Sequence, residues 1–147
     1  MANFFTDNQD ILDFLENTDL RELVMLQETG YAEAGEFDYA PADYDDAMDN
    51  YRRVLEMLGE LAAEFIEPRA SDVDKEEARF EDGVVTYARG TRESLEQLRK
   101  AELMGLTLPR KYGGLNMPVL IYTIAIELVS RADASLMNLF GLQDIAE

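Results

Sequence analysis

Apolar residues recur along this chain at helical spacing. Ile11, Leu12 and Leu15 predict a first short helix, with Asp7 placed to cap it. Leu20, Leu23, Val24 and Leu26 predict a second, opened by Asp19 with Glu22 three residues on and closed at Gly30. Residues 31–43 are rich in Gly, Ala, Tyr and acids and carry no period. They read as a linker, with Pro41 opening the next helix. The strongest signal follows. Tyr44, Met48, Tyr51, Leu55, Leu58, Ala62 and Phe65 step alternately by four and three, a continuous apolar seam along one helical face. Pro68 is expected to end that helix, because a proline disfavours helical geometry in the residue before it. A seam of about three heptads that stops at a proline suits a packed bundle rather than a coiled coil.

The second half starts with a highly charged stretch, residues 69–79, whose pattern is ambiguous. Asp82-Gly83 then sits between the short β-prone runs Arg79–Glu81 and Val84–Tyr87, the composition of a small hairpin near 79–87. Thr91 is placed to cap a helix carrying Leu95, Leu98 and Leu103, which closes near Gly105. Leu106-Thr107-Leu108-Pro109 reads as extended, and Tyr112-Gly113-Gly114 as a turn. Pro118 opens a helix in which Val119, Leu120, Ile121, Ile124, Ala125, Ile126, Leu128 and Val129 cover most of the circumference. Only Thr123, Glu127 and Ser130 form a polar stripe, so this helix is expected at the centre of the fold, buried on nearly all sides. Asp133 caps a last helix carrying Leu136, Leu139, Phe140 and Ile145, which runs into Glu147 with no stop signal, as in a piece of a longer protein. The fold class is all-α: a helical bundle with a small hairpin.

Composition narrows the chemistry more than it suggests it. The 147 residues hold no Cys and no His, which excludes a disulfide framework, a thiol nucleophile, a Ser-His-Asp triad and imidazole or thiolate metal sites. The absence of disulfides and of a basic, apolar leader at Met1–Phe5 makes a cytoplasmic home the expectation. The longest apolar stretch, Val119 to Val129, is too short to cross a bilayer, which needs about 20 residues. The net charge of -18 is uneven. Residues 1–50 hold 14 acids against a single base, Arg21, which sets an acidic extension (1–43) apart from the remainder (44–147). A field of that sign repels nucleic acid and anionic membrane surfaces.

The acids do not form a metal motif. Asp43, Asp45, Asp46 and Asp49 cluster, as do Asp72, Asp74, Glu76 and Glu77, but neither group has the glycine and terminal glutamate of a calcium loop. They read as solvated helix surface. No spacing singles out a carboxylate pair for glycoside hydrolysis, and Gly113-Gly114 lacks the context of a dinucleotide-binding loop.

Two segments carry a resemblance. Leu103-Met104-Gly105-Leu106-Thr107-Leu108-Pro109-Arg110-Lys111-Tyr112-Gly113-Gly114-Leu115 is similar to the acyl-CoA dehydrogenase pattern "G-hydrophobic-x-x-P-x-x-Y-G-G-x-G". Ile126-Glu127-Leu128-Val129-Ser130-Arg131-Ala132-Asp133-Ala134-Ser135-Leu136 resembles that family's "E-E-L-A-R-x-D-A-S". The two occur in the family's order and spacing, and the seam ending at Pro68 resembles an earlier element of it. The resemblance covers roughly residues 45–147. Asn116 departs from the pattern, standing where many members carry Gly. The added N-terminal residues and the hairpin resemble the longer branch of the family that includes methylthiopropionyl-CoA dehydrogenases.

The resemblance implies the N-terminal helical domain of a flavoenzyme that oxidises acyl-CoA thioesters at Cα–Cβ. FAD and the catalytic glutamate then belong to a β-barrel domain and a C-terminal helical domain outside this sequence. No residue here inherits a catalytic, cofactor-binding or metal-binding role, and Glu127 is read as a structural or surface residue. The implied partners are acyl-CoA and an electron-transfer flavoprotein, with a homo-oligomer as the family's habit. The helix after Asp-Ala-Ser matches the element that lines part of the acyl pocket, which makes Met137, Asn138 and Gly141 the substrate-binding residues. The alternative is a different class of protein: a standalone acidic helical module that engages a basic partner through the strongly acidic residues 1–50.

Overall fold

A computed structural model describes residues 1–143; Ile145 and the end of the chain lie outside the described residues. Among the described residues seven α-helices and one hairpin follow in the order α1 (Gln9–Asn17), α2 (Arg21–Gln27), α3 (Tyr44–Leu61), α4 (Glu67–Glu76), β1 (Arg79–Glu81), β2 (Val84–Thr86), α5 (Arg89–Lys100), α6 (Val119–Ala132) and α7 (Ala134–Phe140). The all-α expectation and the hairpin are both met. Arg79 pairs with Thr86, Phe80 with Val85 and Glu81 with Val84, closed by Asp82 and Gly83, both at positive φ. That is the turn an Asp-Gly pair favours between two antiparallel strands.

The core forms where the seam of α3 meets α6. Tyr51, Leu55 and Leu58 from α3, and Ile121, Tyr122, Ala125, Leu128 and Val129 from α6, are almost fully buried. α6 packs on α3, α4 and α7, as its apolar content requires. It is not enclosed all round, however: Thr123 and Glu127 face outward, joined by Val119. The polar stripe is therefore a solvent face widened by one apolar residue. Asp133 caps α7 as expected, accepting from the Ser135 and Leu136 backbone N–H groups and from Ser135 Oγ.

Several boundaries differ from the sequence reading, each for a local reason. Asn8, not Asp7, caps α1 by accepting from Ile11 N; Asp7 turns back to accept from Asn3 N at 2.9 Å. Asp19 lies one residue ahead of the α2 cap, Leu20, and accepts from Arg21 N. Pro41 precedes α3 by three residues, and Asp43 is the cap, in a reciprocal arrangement. Asp46 N donates to Asp43 Oδ1 while Asp46 Oδ2 accepts from Ala42 N, which accounts for part of the acidic cluster.

Pro68 does not stop its helix. Residues Ala62–Ile66 widen into a π-turn, in which Glu67 N donates to Ala62 O five residues back, and α4 continues with Pro68 in its first turn. A first-turn proline removes no needed N–H, so the wider turn lets the chain pass it and re-aim. The charged stretch 69–79 is mostly α4. Thr91 is buried inside α5, which starts two residues earlier at Arg89 with Ala88 as its cap and ends at Lys100, so Leu103 is buried from the loop beyond it and not from the helix. The space for this entry comes from Gly90, where a Cβ would lie 2.6 Å from Val73 Cγ2.

Residues 1–43 are built into the same core. Phe5, Ile11, Leu15, Leu20 and Val24 join the α3–α6 cluster, and Phe4 N donates to Gly59 O. On α2 the buried face is Leu20 and Val24, while Leu23, Met25 and Leu26 are exposed. Among the described residues no helix is long and apolar enough to cross a membrane.

Candidate functional site

The first quoted segment forms a folded-back loop after α5. Leu115 N donates to Gly105 O, Asn116 N to Leu108 O and Met117 N to Leu106 O, so residues 114–117 lie along residues 105–108. The approach leaves no room at Gly114, where any Cβ would overlap the Leu108 carbonyl. Asn116 adopts φ 54, a left-handed conformation that Gly and Asn tolerate best. The departure from the family's glycine has a use here. The Asn116 side chain donates to Gln27 O at 3.0 Å and accepts from Gln27 Nε2, fastening the loop to the end of α2.

Arg110, on the short helical turn Arg110–Tyr112 of this loop, is 4% exposed. Its Nη1 donates to Glu28 Oε2 at 2.6 Å and to Glu33 Oε2 at 3.0 Å, and its Nη2 to Glu28 Oε1 at 3.1 Å and to Leu115 O. Glu28 is 2% exposed and also accepts from the Tyr51 hydroxyl at 2.5 Å. Burial alone would lower the Arg110 pKa, but the hydrogen bonds and charges of Glu28 and Glu33 outweigh it and raise the value. Burial, then the hydrogen bond to Glu28, push the Tyr51 hydroxyl far above its ordinary range, so it remains a donor. Arg110 Nε is the one buried side-chain nitrogen or oxygen without a partner among the described residues.

This cluster ties α2, the 31–43 segment, α3 and the loop together, and sequence reasoning missed it. A signal existed: Leu20, Val24 and Glu28 are spaced by four, so Glu28 continues the buried face of α2. The 31–43 segment is more than a linker, since it supplies Glu33 to Arg110 and Tyr39, whose hydroxyl donates to Gly114 O.

The second quoted segment lines a cleft of about 650 Å³ between α4, the hairpin stems and the α6–α7 junction. Asn138 is exposed and lies on its wall with Asp133 and Ser135. Met137 is half-buried against the core. Gly141, the residue that ends α7, is close to Met137: a Cβ there would lie 3.4 Å from Met137 Sδ and 3.7 Å from Ile126 Cδ1. The structure thus brings Met137 and Gly141 together beside α6 and leaves Asn138 on the cleft. Phe140 O accepts from Tyr122 Oη and Gln143 Nε2, and Gln143 Oε1 accepts from Gly105 N, so the end of α7 is held onto the first loop.

The cleft does not suit a dinucleotide by itself. Asp74, Glu77 and Asp133 line it against the single guanidinium of Arg131, the wrong balance for a pyrophosphate. These residues alone would not hold FAD.

Comparison with known proteins decides the family. The family model described as "Acyl-CoA dehydrogenase, N-terminal domain" matches residues 48–146, which include both loop and cleft segments. The chain belongs to the acyl-CoA dehydrogenase family. A relative, the 3-methylmercaptopropionyl-CoA dehydrogenase of Ruegeria pomeroyi (strain ATCC 700808 / DSM 15171 / DSS-3), is 33% identical over 104 residues. That match covers 71% of this chain but only 16% of the relative's length. The dehydrogenase motifs therefore fall on two connected places: the loop locked by Arg110 and the α6–α7 wall of the cleft. Glu127 lies on the exposed stripe of α6, facing neither.

Proposed function

We propose that these residues form the N-terminal part of an FAD-dependent acyl-CoA dehydrogenase that desaturates acyl-CoA thioesters at Cα–Cβ, with α7 contributing to acyl binding from two sides, Met137 and Gly141 beside α6 and Asn138 on the cleft. The observation that carries the reading is the family match across residues 48–146, which takes in α6, α7 and the cleft wall they build. Flavin and the catalytic base are supplied by other parts of the polypeptide, in keeping with a cleft too acidic to hold the cofactor alone. Transfer of electrons to an electron-transfer flavoprotein, assembly into a homo-oligomer and a cytoplasmic setting belong to the same reading. Residues 1–143 provide a packed platform. A half-buried thioether in Met137 is an adaptable apolar wall, and Gly141 leaves space beside it.

Two outcomes follow. The 147-residue chain, purified alone, is colourless and does not turn over acyl-CoA with an artificial electron acceptor; stoichiometric flavin or turnover would overturn the division of labour. In the complete enzyme, Gly141→Val pushes on Met137 and shortens the accepted acyl chain. Each methylene excluded from the pocket weakens transition-state binding by about 1–3 kcal/mol, read as kcat/KM across an acyl-CoA series. A variant with a lower Tm and the parent's chain-length profile would remove Gly141 from the pocket.

A further inference from the structure

The hairpin is left uncovered by the other described residues. All six residues of β1 and β2 are exposed, Phe80 at 71%, Val84 at 62% and Val85 at 53%. Phe80 and Val85 are direct partners in the ladder and so share one face, while Val84 lies on the other beside Glu81. Apart from each other, neither strand packs substantially on any element of the described residues. A two-stranded hairpin is marginal in water unless one face is buried against something. An aromatic residue and two valines held outward on it are a surface made for contact.

We propose that the Phe80–Val85 face docks onto the polypeptide that follows these 147 residues in the complete dehydrogenase. The inference rests on the functional reading above, which places the flavin-holding parts outside this chain. Two observations select that occupant over a second copy or a foreign protein. The chain spans only 16% of the length of its dehydrogenase relative, so a partner of ample size is expected in the same molecule. The hairpin stems, through Glu77, Ala78, Tyr87 and Ala88, also form one wall of the cleft whose opposite wall is the α6–α7 junction. A segment seated on the hairpin therefore also borders the cleft that the α6–α7 junction lines. Docking there would close the cleft on the side that α4 and α7 leave open.

Hydroxyl-radical footprinting of the complete protein reads this directly, with a peptide covering residues 77–89 as the unprotected reference. The docked face makes oxidation of Phe80 slower by roughly fivefold or more than in the peptide, as for a side chain surrounded by contacts. That protection is unchanged when the protein is diluted. Oxidation at the peptide's rate would overturn the proposal. Protection that disappears on dilution would also overturn it, by assigning the face to a second copy. Acyl-CoA turnover measured on the same preparation keeps the two readings apart: inactivity with Phe80 protected sinks the function and not the docking, and activity with Phe80 reactive does the reverse.

Discussion

Arg110→Met destabilises the chain by about 3–5 kcal/mol, the cost of leaving a buried carboxylate without its cation. Glu28 is 2% exposed, and after the substitution it keeps only the Tyr51 hydroxyl as a donor from this cluster. For a domain of this size the loss lowers Tm by roughly 10–20 °C. Replacing both partners removes the unpaired charge, so Arg110→Met combined with Glu28→Leu recovers part of the loss. The double variant melts above Arg110→Met alone, although it has lost more hydrogen bonds. Thermal melts of the parent, two single variants and the double variant form the cycle. A single variant that melts within two or three degrees of the parent would show that the cluster is solvated, not buried.

Ile124→Asp has an effect of similar size for a different reason. Ile124 belongs to the core cluster on the buried face of α6. The aspartate must either remain charged in an apolar site or take up a proton to enter it, and either route costs several kcal/mol. Glu127→Ala, one turn further on the exposed stripe, is the control and stays within about 0.5 kcal/mol of the parent. Chemical denaturation of both variants tests the pair. Equal midpoints would mean that α6 is peripheral.

The two effects also mark what could be read from the residues alone. The seam of α3 and the apolar bulk of α6 were legible because helical periodicity reports burial directly, and Asp133 because a cap acts within three residues. Asp82-Gly83 was legible for the same local reason. Pro68 misled because a proline signals a break only when its helix lacks a way round, and the π-turn at Ala62–Ile66 supplies one. The Arg110 cluster was hidden by distance. Glu28 and Arg110 are 82 residues apart, and an acid in a strongly acidic segment looks like every solvated neighbour until the fold buries it. Its spacing from Val24 was the remaining clue. Asn138 follows Met137 by one residue, about 100° round the helix, so periodicity already turns it away from Met137. That it meets an open cleft depends on where α7 sits against α4 and the hairpin, which no local pattern encodes.

The proposed function makes one activity central: desaturation of an acyl-CoA thioester by the complete protein. The direct measurement is mass analysis of the CoA products after incubating the purified, flavin-loaded, full-length protein with a series of acyl-CoA thioesters and an artificial electron acceptor. The account predicts saturable conversion to the enoyl-CoA, lighter by two hydrogens, with the acceptor reduced in step. A folded, flavin-loaded protein that leaves every thioester in the series unchanged would contradict it.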